Sequence, residues 1–124
     1  MTASLKDRLN NDFVVLLFLD KETPLSSSSL SCFLEFQEKD ALFKRHSEYL
    51  YIDEHMQWVV KLGLHASPSI LIFLHGSRVM FRDGSDLPQL FYSGPVTDDV
   101  LATISRMIPY IKSNICDQHC ILID

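Results

Sequence analysis

The chain has 124 residues, 47% of them apolar and 22% charged, which suits one globular domain with its own core. That balance excludes a disordered tail, a disulfide-dense miniprotein and a multidomain machine. A formal charge of −5, with eleven basic residues and no cluster among them, excludes broad binding to a phosphate backbone, so no nucleic-acid partner is expected.

Residues Thr2 to Asn11 read as a polar lead-in with helical potential, Leu5 and Leu9 being four apart on one face. Phe13–Leu19 is the longest apolar run, far short of the ~20 residues needed to cross a bilayer. Lys6 and Arg8 lend it a faint signal-peptide look. Asp20, Lys21 and Glu22 follow at once, however, and no small-x-small cleavage site adjoins it. A short run rich in Val, Leu and Phe also describes a strand buried on both faces, which is the reading adopted. No membrane partner is expected, and the protein is read as cytoplasmic.

Lys21 to Pro24 break the strand, and Ser26–Ser29 offer N-cap candidates for a helix running to about Lys39. Its apolar side is Leu30, Phe33, Leu34 and Phe36. Glu48–Ile52 alternates weakly and ends at Asp53, a candidate cap for a helix through Leu62 with Met56, Val59 and Val60 facing the core. Gly63 sits where a left-handed residue is expected. Ser69–Leu74 is a second buried strand, and His75-Gly76-Ser77 turns into Arg78–Arg82, a hairpin by pattern.

A turn-rich loop spans Asp83–Pro88, Gln89–Ser93 reads as a short edge strand, and Gly94-Pro95 punctuates. Phe91 and Tyr92 offer an exposed aromatic surface. Thr97-Asp98-Asp99 opens a last helix, with Val100, Ile104, Met107 and Ile108 at helical spacing and a stop near Pro109. The first half alternates strand and helix, which implies right-handed crossovers and a parallel pair or trio. A three-layer α/β/α sandwich follows, with a mixed sheet of about four to five strands. The domain is placed at residues 1–109, and 110–124 form a tail or a docked extension.

This order resembles the thioredoxin fold, and local sequence supports the likeness. Tyr51-Ile52-Asp53 and the helix to Lys61-Leu62-Gly63-Leu64 look like the family's second core strand and the helix after it. His65-Ala66-Ser67-Pro68-Ser69 leading into Ile70–Phe73 is similar to its cis-proline segment. Leu74-His75-Gly76-Ser77-Arg78-Val79 resembles its hairpin turn, and Gly94 has a counterpart before the last helix. The likeness covers about Asp12 to Ile108. It implies a cis bond before Pro68, and a Ser67 backbone offered to an extended peptide across a groove from Thr23, Pro24, Leu25 and Ser26.

The family's redox enzymes carry Cys-x-x-Cys between the first core strand and the next helix, where the helix N-terminus lowers a thiol pKa. Here Thr23 and Ser26 fall at about those places. Neither hydroxyl forms a disulfide or ionises near neutrality, so dithiol chemistry is missing from its usual position.

Cys32 reads as a buried small hydrophobe rather than a nucleophile. Cys116 and Cys120 are four apart; on a helical turn they would share a face, leaving a disulfide or a thiol-disulfide role open. With His119 they would supply three zinc ligands, and His75 a fourth only if the fold brought it close; no metal is assigned. His46, His55 and His65 complete five scattered histidines without ligand spacing. Asp20 is either a buried carboxylate near the site or a turn residue. No cofactor is expected.

The leading expectation is a redox-inactive module that binds a protein or peptide partner. The alternative is an atypical oxidoreductase using Cys116 and Cys120. A third reading is a structural subunit of a larger assembly.

Overall fold

The computed structural model describes residues 13–63, 67–74, 77–82, 92–113 and 120–122. The lead-in with Leu5 and Leu9, the 83–88 loop, Phe91, Cys116, His65, His75 and His119 lie outside them. Strand β1 (Phe13–Leu19) is buried along its whole length. A continuous apolar run is what a strand covered on both faces requires.

Helix α1 (Pro24–Lys39) starts one turn before the serines expected to cap it. The cap is Thr23, in extended backbone, whose Oγ1 accepts the Ser26 N–H at 3.3 Å. Pro24 follows at the first helical position, where a missing N–H costs nothing. Phe33 is buried, Leu30 and Phe36 are half-buried, and Leu34 stays exposed.

A short helix that the periodicity did not suggest, α2 (Ala41–His46), comes next. Asp40 ends α1 and caps α2, its Oδ1 accepting the Phe43 N–H at 3.0 Å. Phe43 is thereby held edge-on against Phe33 and Phe36, with ring centroids 5.5 and 5.0 Å apart.

Strand β2 (Ser47–Tyr51) pairs in parallel with β1. A single 3₁₀ turn (Ile52–Glu54) and helix α3 (Met56–Leu62) follow. Two expectations fail here. Asp53 lies inside the 3₁₀ turn, and His55, with no side-chain cap bond, precedes α3. Val59 is buried as expected, but Met56 and Val60 are 53% and 76% exposed. A seven-residue helix set over one sheet face has room to bury only a narrow stripe. Gly63 ends the helix at φ 72°, left-handed as expected.

Strand β3 (Ser69–Leu74) runs antiparallel to β1, so β1 has a parallel neighbour on one side only. It also pairs antiparallel with β4 (Ser77–Arg82) and, near its start, with β5 (Tyr92–Ser93). Helix α4 (Asp98–Ser113) opens on Thr97, whose Oγ1 accepts the Val100 N–H at 3.3 Å. It continues through Pro109 rather than stopping there. Leu101, Ile104 and Ile108 are fully buried, and α4 also lies against the last strand, β6 (Cys120–Leu122). Those contacts outweigh the ~3 kcal/mol an interior proline typically costs.

The mixed sheet has the order β2-β1-β3-β4-β6, with β5 beside β3. Odd-numbered β1 residues face α1, α2 and α4 together with Ile70 and Ile72 of β3; even-numbered ones face Val59 of α3 together with Leu71 and Phe73. This is the α/β/α sandwich, with four main strands and two short ones at its margin.

Candidate functional site

Strand β1 ends beside the start of β3, since Phe18 pairs with Ser69. The register therefore delivers Asp20 and the α1 entrance to the Ser67–Pro68 segment. The Ser67–Pro68 peptide bond is cis, and Pro68 is buried. Its carbonyl accepts the Gly94 N–H at 3.3 Å, which ties the segment to the loop after β5. Gly94 has φ 140°, a backbone conformation that favours glycine.

Three hydroxyls meet at this point. Thr23 Oγ1 donates to Ser26 Oγ at 3.0 Å, and Ser26 Oγ lies 3.4 Å from Ser67 Oγ. The Asp20 N–H donates to Ser67 Oγ at 3.0 Å and to Ser26 Oγ at 3.3 Å. Ser26 is 2% exposed, while Thr23, Pro24 and Leu25 are exposed and Ser67 is half-buried. Thr23, Ser26, Ser67 and Pro68 thus stand together, with Pro24 and Leu25 on the outer rim. The Ser67 backbone N–H and C=O bond no other described residue.

Asp20 is a turn carboxylate. Its Oδ1 accepts the N–H groups of Thr23 and Glu22, both at 2.9 Å, and these bonds hold the carboxyl below its ordinary range. It shapes the loop, and the Thr23 and Ser67 hydroxyls add smaller contributions that lower its pKa further.

Sequence reasoning missed the other wall of the site. Lys21 Nζ bonds Glu54 Oε2, approaches Asp53 Oδ2 at 3.9 Å and stands 5.0 Å from the centre of the Tyr51 ring. The Glu54 bond raises the Lys21 pKa. Partners more than thirty residues apart leave no local signal; only the parallel register of β1 and β2 brings these loops together.

The two described cysteines stand elsewhere in the fold. Cys32, two turns into α1, is half-buried and donates to Asp98 Oδ1 at 3.3 Å. Burial first, and the Asp98 carboxylate second, push its thiol up to about 11. It stays protonated near neutrality and is a poor nucleophile. Cys120 opens β6 opposite Met80, so the helical-turn geometry considered for Cys116 and Cys120 does not apply to it. It is two strands away from β3, roughly 10 Å across the sheet at normal strand spacing.

Tyr92 is half-buried against the core facing α1, and its hydroxyl donates to the Pro95 carbonyl at 2.7 Å, so it forms no exposed aromatic surface. Among the described residues no group of three or more His, Cys, Asp or Glu side chains is placed to hold a metal ion. Among the same residues no helix is long and apolar enough to cross a membrane.

A mixed sheet between helices, a cis-proline facing the first long helix and a glycine-marked loop before the last one together define a thioredoxin fold. Solved structures agree. The chain superposes on the thioredoxin of Malassezia sympodialis with a TM-score of 0.62 and 19% identity, covering 82% of each chain. It matches Fasciola hepatica thioredoxin at 0.59 with 15% identity, over 82% of this chain and 86% of that one. For the germline-specific thioredoxin Deadhead of Drosophila melanogaster the values are 0.60 and 10%, over 83% and 87%. No family model and no curated protein sequence matches the chain.

Proposed function

We propose that this chain is a redox-inactive binding module of the thioredoxin fold, acting in the cytoplasm without a cofactor. It holds an extended protein segment in the groove between Thr23, Pro24, Leu25, Ser26 and the cis-proline segment. The observation that carries this reading is the Ser67 backbone beside Pro68, which bonds no other described residue and faces a helix entrance that bears hydroxyls where a dithiol would be needed. An extended segment gains affinity by pairing its main chain with such an edge. Hydroxyls stay protonated near neutrality, so contact leads to binding and not to electron exchange.

The test separates recognition from sulfur chemistry. A variant carrying Cys32→Ser, Cys116→Ser and Cys120→Ser is expected to capture the same partners in a pull-down as the wild type. Wild-type protein is expected to show no turnover in an insulin-reduction assay. Loss of capture in the triple variant, or turnover that disappears with Cys116→Ser, would overturn the proposal in favour of a thiol-disulfide oxidoreductase using Cys116 and Cys120. Conversely, Thr23→Cys with Ser26→Cys is expected to form a disulfide, since the two hydroxyl oxygens already stand 3.0 Å apart.

A further inference from the structure

A small cavity of about 80 Å³ opens beside the α1 entrance, on the side away from β3. We infer that it is a side-chain pocket of the proposed groove, taking one short aliphatic side chain of the bound segment. The inference rests on the groove reading.

Size sets the first limit. At about 80 Å³ it is about half the ~150 Å³ of an apolar cavity that takes up benzene, which suits a few methyl or methylene groups better than an aromatic ring. The walls set the second. Leu19, Leu30 and Tyr51 provide apolar surface, and Asp20, Lys21, Ser26 and Ser27 complete the lining.

Three of the polar side chains in the wall are already engaged. Ser26 is bonded to Thr23 and approaches Ser67, the Asp20 carboxylate accepts two backbone N–H groups, and Lys21 is held by Glu54. A polar side chain entering would shed its water and gain little in exchange, whereas an aliphatic one loses nothing. Lys21, stretched across to Glu54 and over Tyr51, keeps the wall in place.

Continuity with the groove names the occupant. Ser26 lines the cavity, and its Oγ is only 3.4 Å from Ser67 Oγ. Ser67 and the cavity wall therefore adjoin through Ser26, and an extended segment paired at Ser67, which advances ~3.3 Å per residue, reaches the cavity within a few residues.

The experiment uses exchange at the helix entrance. Full-length protein with Thr23→Cys in the Cys32→Ser, Cys116→Ser, Cys120→Ser background is equilibrated with symmetric disulfides of acetyl-Xaa-Cys-Xaa-amide, where Xaa is Gly, Val, Leu, Phe, Lys or Asp. Each exchange releases one peptide thiol, so it needs no oxidant. Occupancy is read by mass spectrometry against 2-hydroxyethyl disulfide.

Val or Leu peptides are expected to be retained about tenfold over Gly, the scale of a few buried methylenes. Ser27→Leu, at an exposed helical position, is expected to plug the opening and bring that ratio within twofold while the Gly peptide still binds. If every peptide exceeds the small disulfide with no Val or Leu preference, or if Phe, Lys or Asp leads, the pocket is refuted and the groove stands. If no peptide exceeds the small disulfide, the groove reading itself fails.

Discussion

Helices α1 and α3 follow β1 and β2, which pair in parallel, yet the chain builds them differently. Helix α1 has a side-chain cap, a proline at its first position, a buried aromatic and an entrance pinned by hydroxyls to the Ser67 segment. Helix α3 has no side-chain cap, buries Val59 and turns Met56 and Val60 outward. The core and the candidate site share the first helix. The second closes one face of the sheet and ends on a left-handed glycine. Damage to α1 should therefore reach both stability and the site, while damage to α3 should stay local.

The largest expected effect tests the core side of α1. Phe33→Ala removes a fully buried ring in edge contact with Phe43 and should cost about 3–5 kcal/mol by urea unfolding. A loss below about 1 kcal/mol would mean that α1 is not the anchor it is taken to be. Ser26→Ala comes next. It leaves Thr23 without its hydroxyl partner and removes a contact to Ser67, for about 1–3 kcal/mol. It should also weaken peptide capture, which a purely structural cap would leave unchanged.

The matching change in α3 is Gly63→Ala. Nothing lies within 4 Å of an added Cβ, so only the cost of holding alanine at φ 72° applies, about 1–2 kcal/mol. Capture should be unaffected. A larger loss would show that α3 carries more of the fold than its burial suggests.

The loop between β1 and α1 adds a pH dependence with a definite sign. The Asp20 pKa is lowered in the folded chain by the Thr23 and Glu22 N–H groups. Its contribution is present above the unfolded carboxyl pKa, ~3.9 for an aspartate, and is lost as pH falls through the lower folded value. Asp20→Asn should therefore be less stable than the wild type at pH 6, with the gap closing in strong acid. A gap that stays constant with pH would remove the charge from the explanation.

Much of this organisation was legible from local pattern. The apolar run of β1, the buried β3, the hairpin and Gly63 all follow from periodicity or a backbone preference that a neighbouring residue cannot mask. What escaped was set at longer range. Met56 and Val60 have the spacing of a buried face, but among the described side chains of this short helix it is Val59 that packs on the sheet. Asp40 caps one helix as it ends another, so no separate start signal marks α2, and the pattern leaves residues 41–46 without an element. At the site, the likeness to a known fold supplied Thr23, Ser26, Ser67 and Pro68. The Asp20 N–H that joins two of the hydroxyls and the Lys21–Glu54 bridge depend on strand register, which no local motif encodes.

The smallest expected effect is the sharpest check on α3. Val60 is 76% exposed, and its helix reaches the core through Val59. Val60→Lys trades a β-branched residue for a better helix former and puts a charge where water already reaches. Stability should stay within about 0.5 kcal/mol of the wild type, and capture should be unaltered. A clear loss of stability would mean that this face is covered in solution. A loss of capture at unchanged stability would move the binding surface from the α1 entrance to α3, reversing the contrast between the two helices.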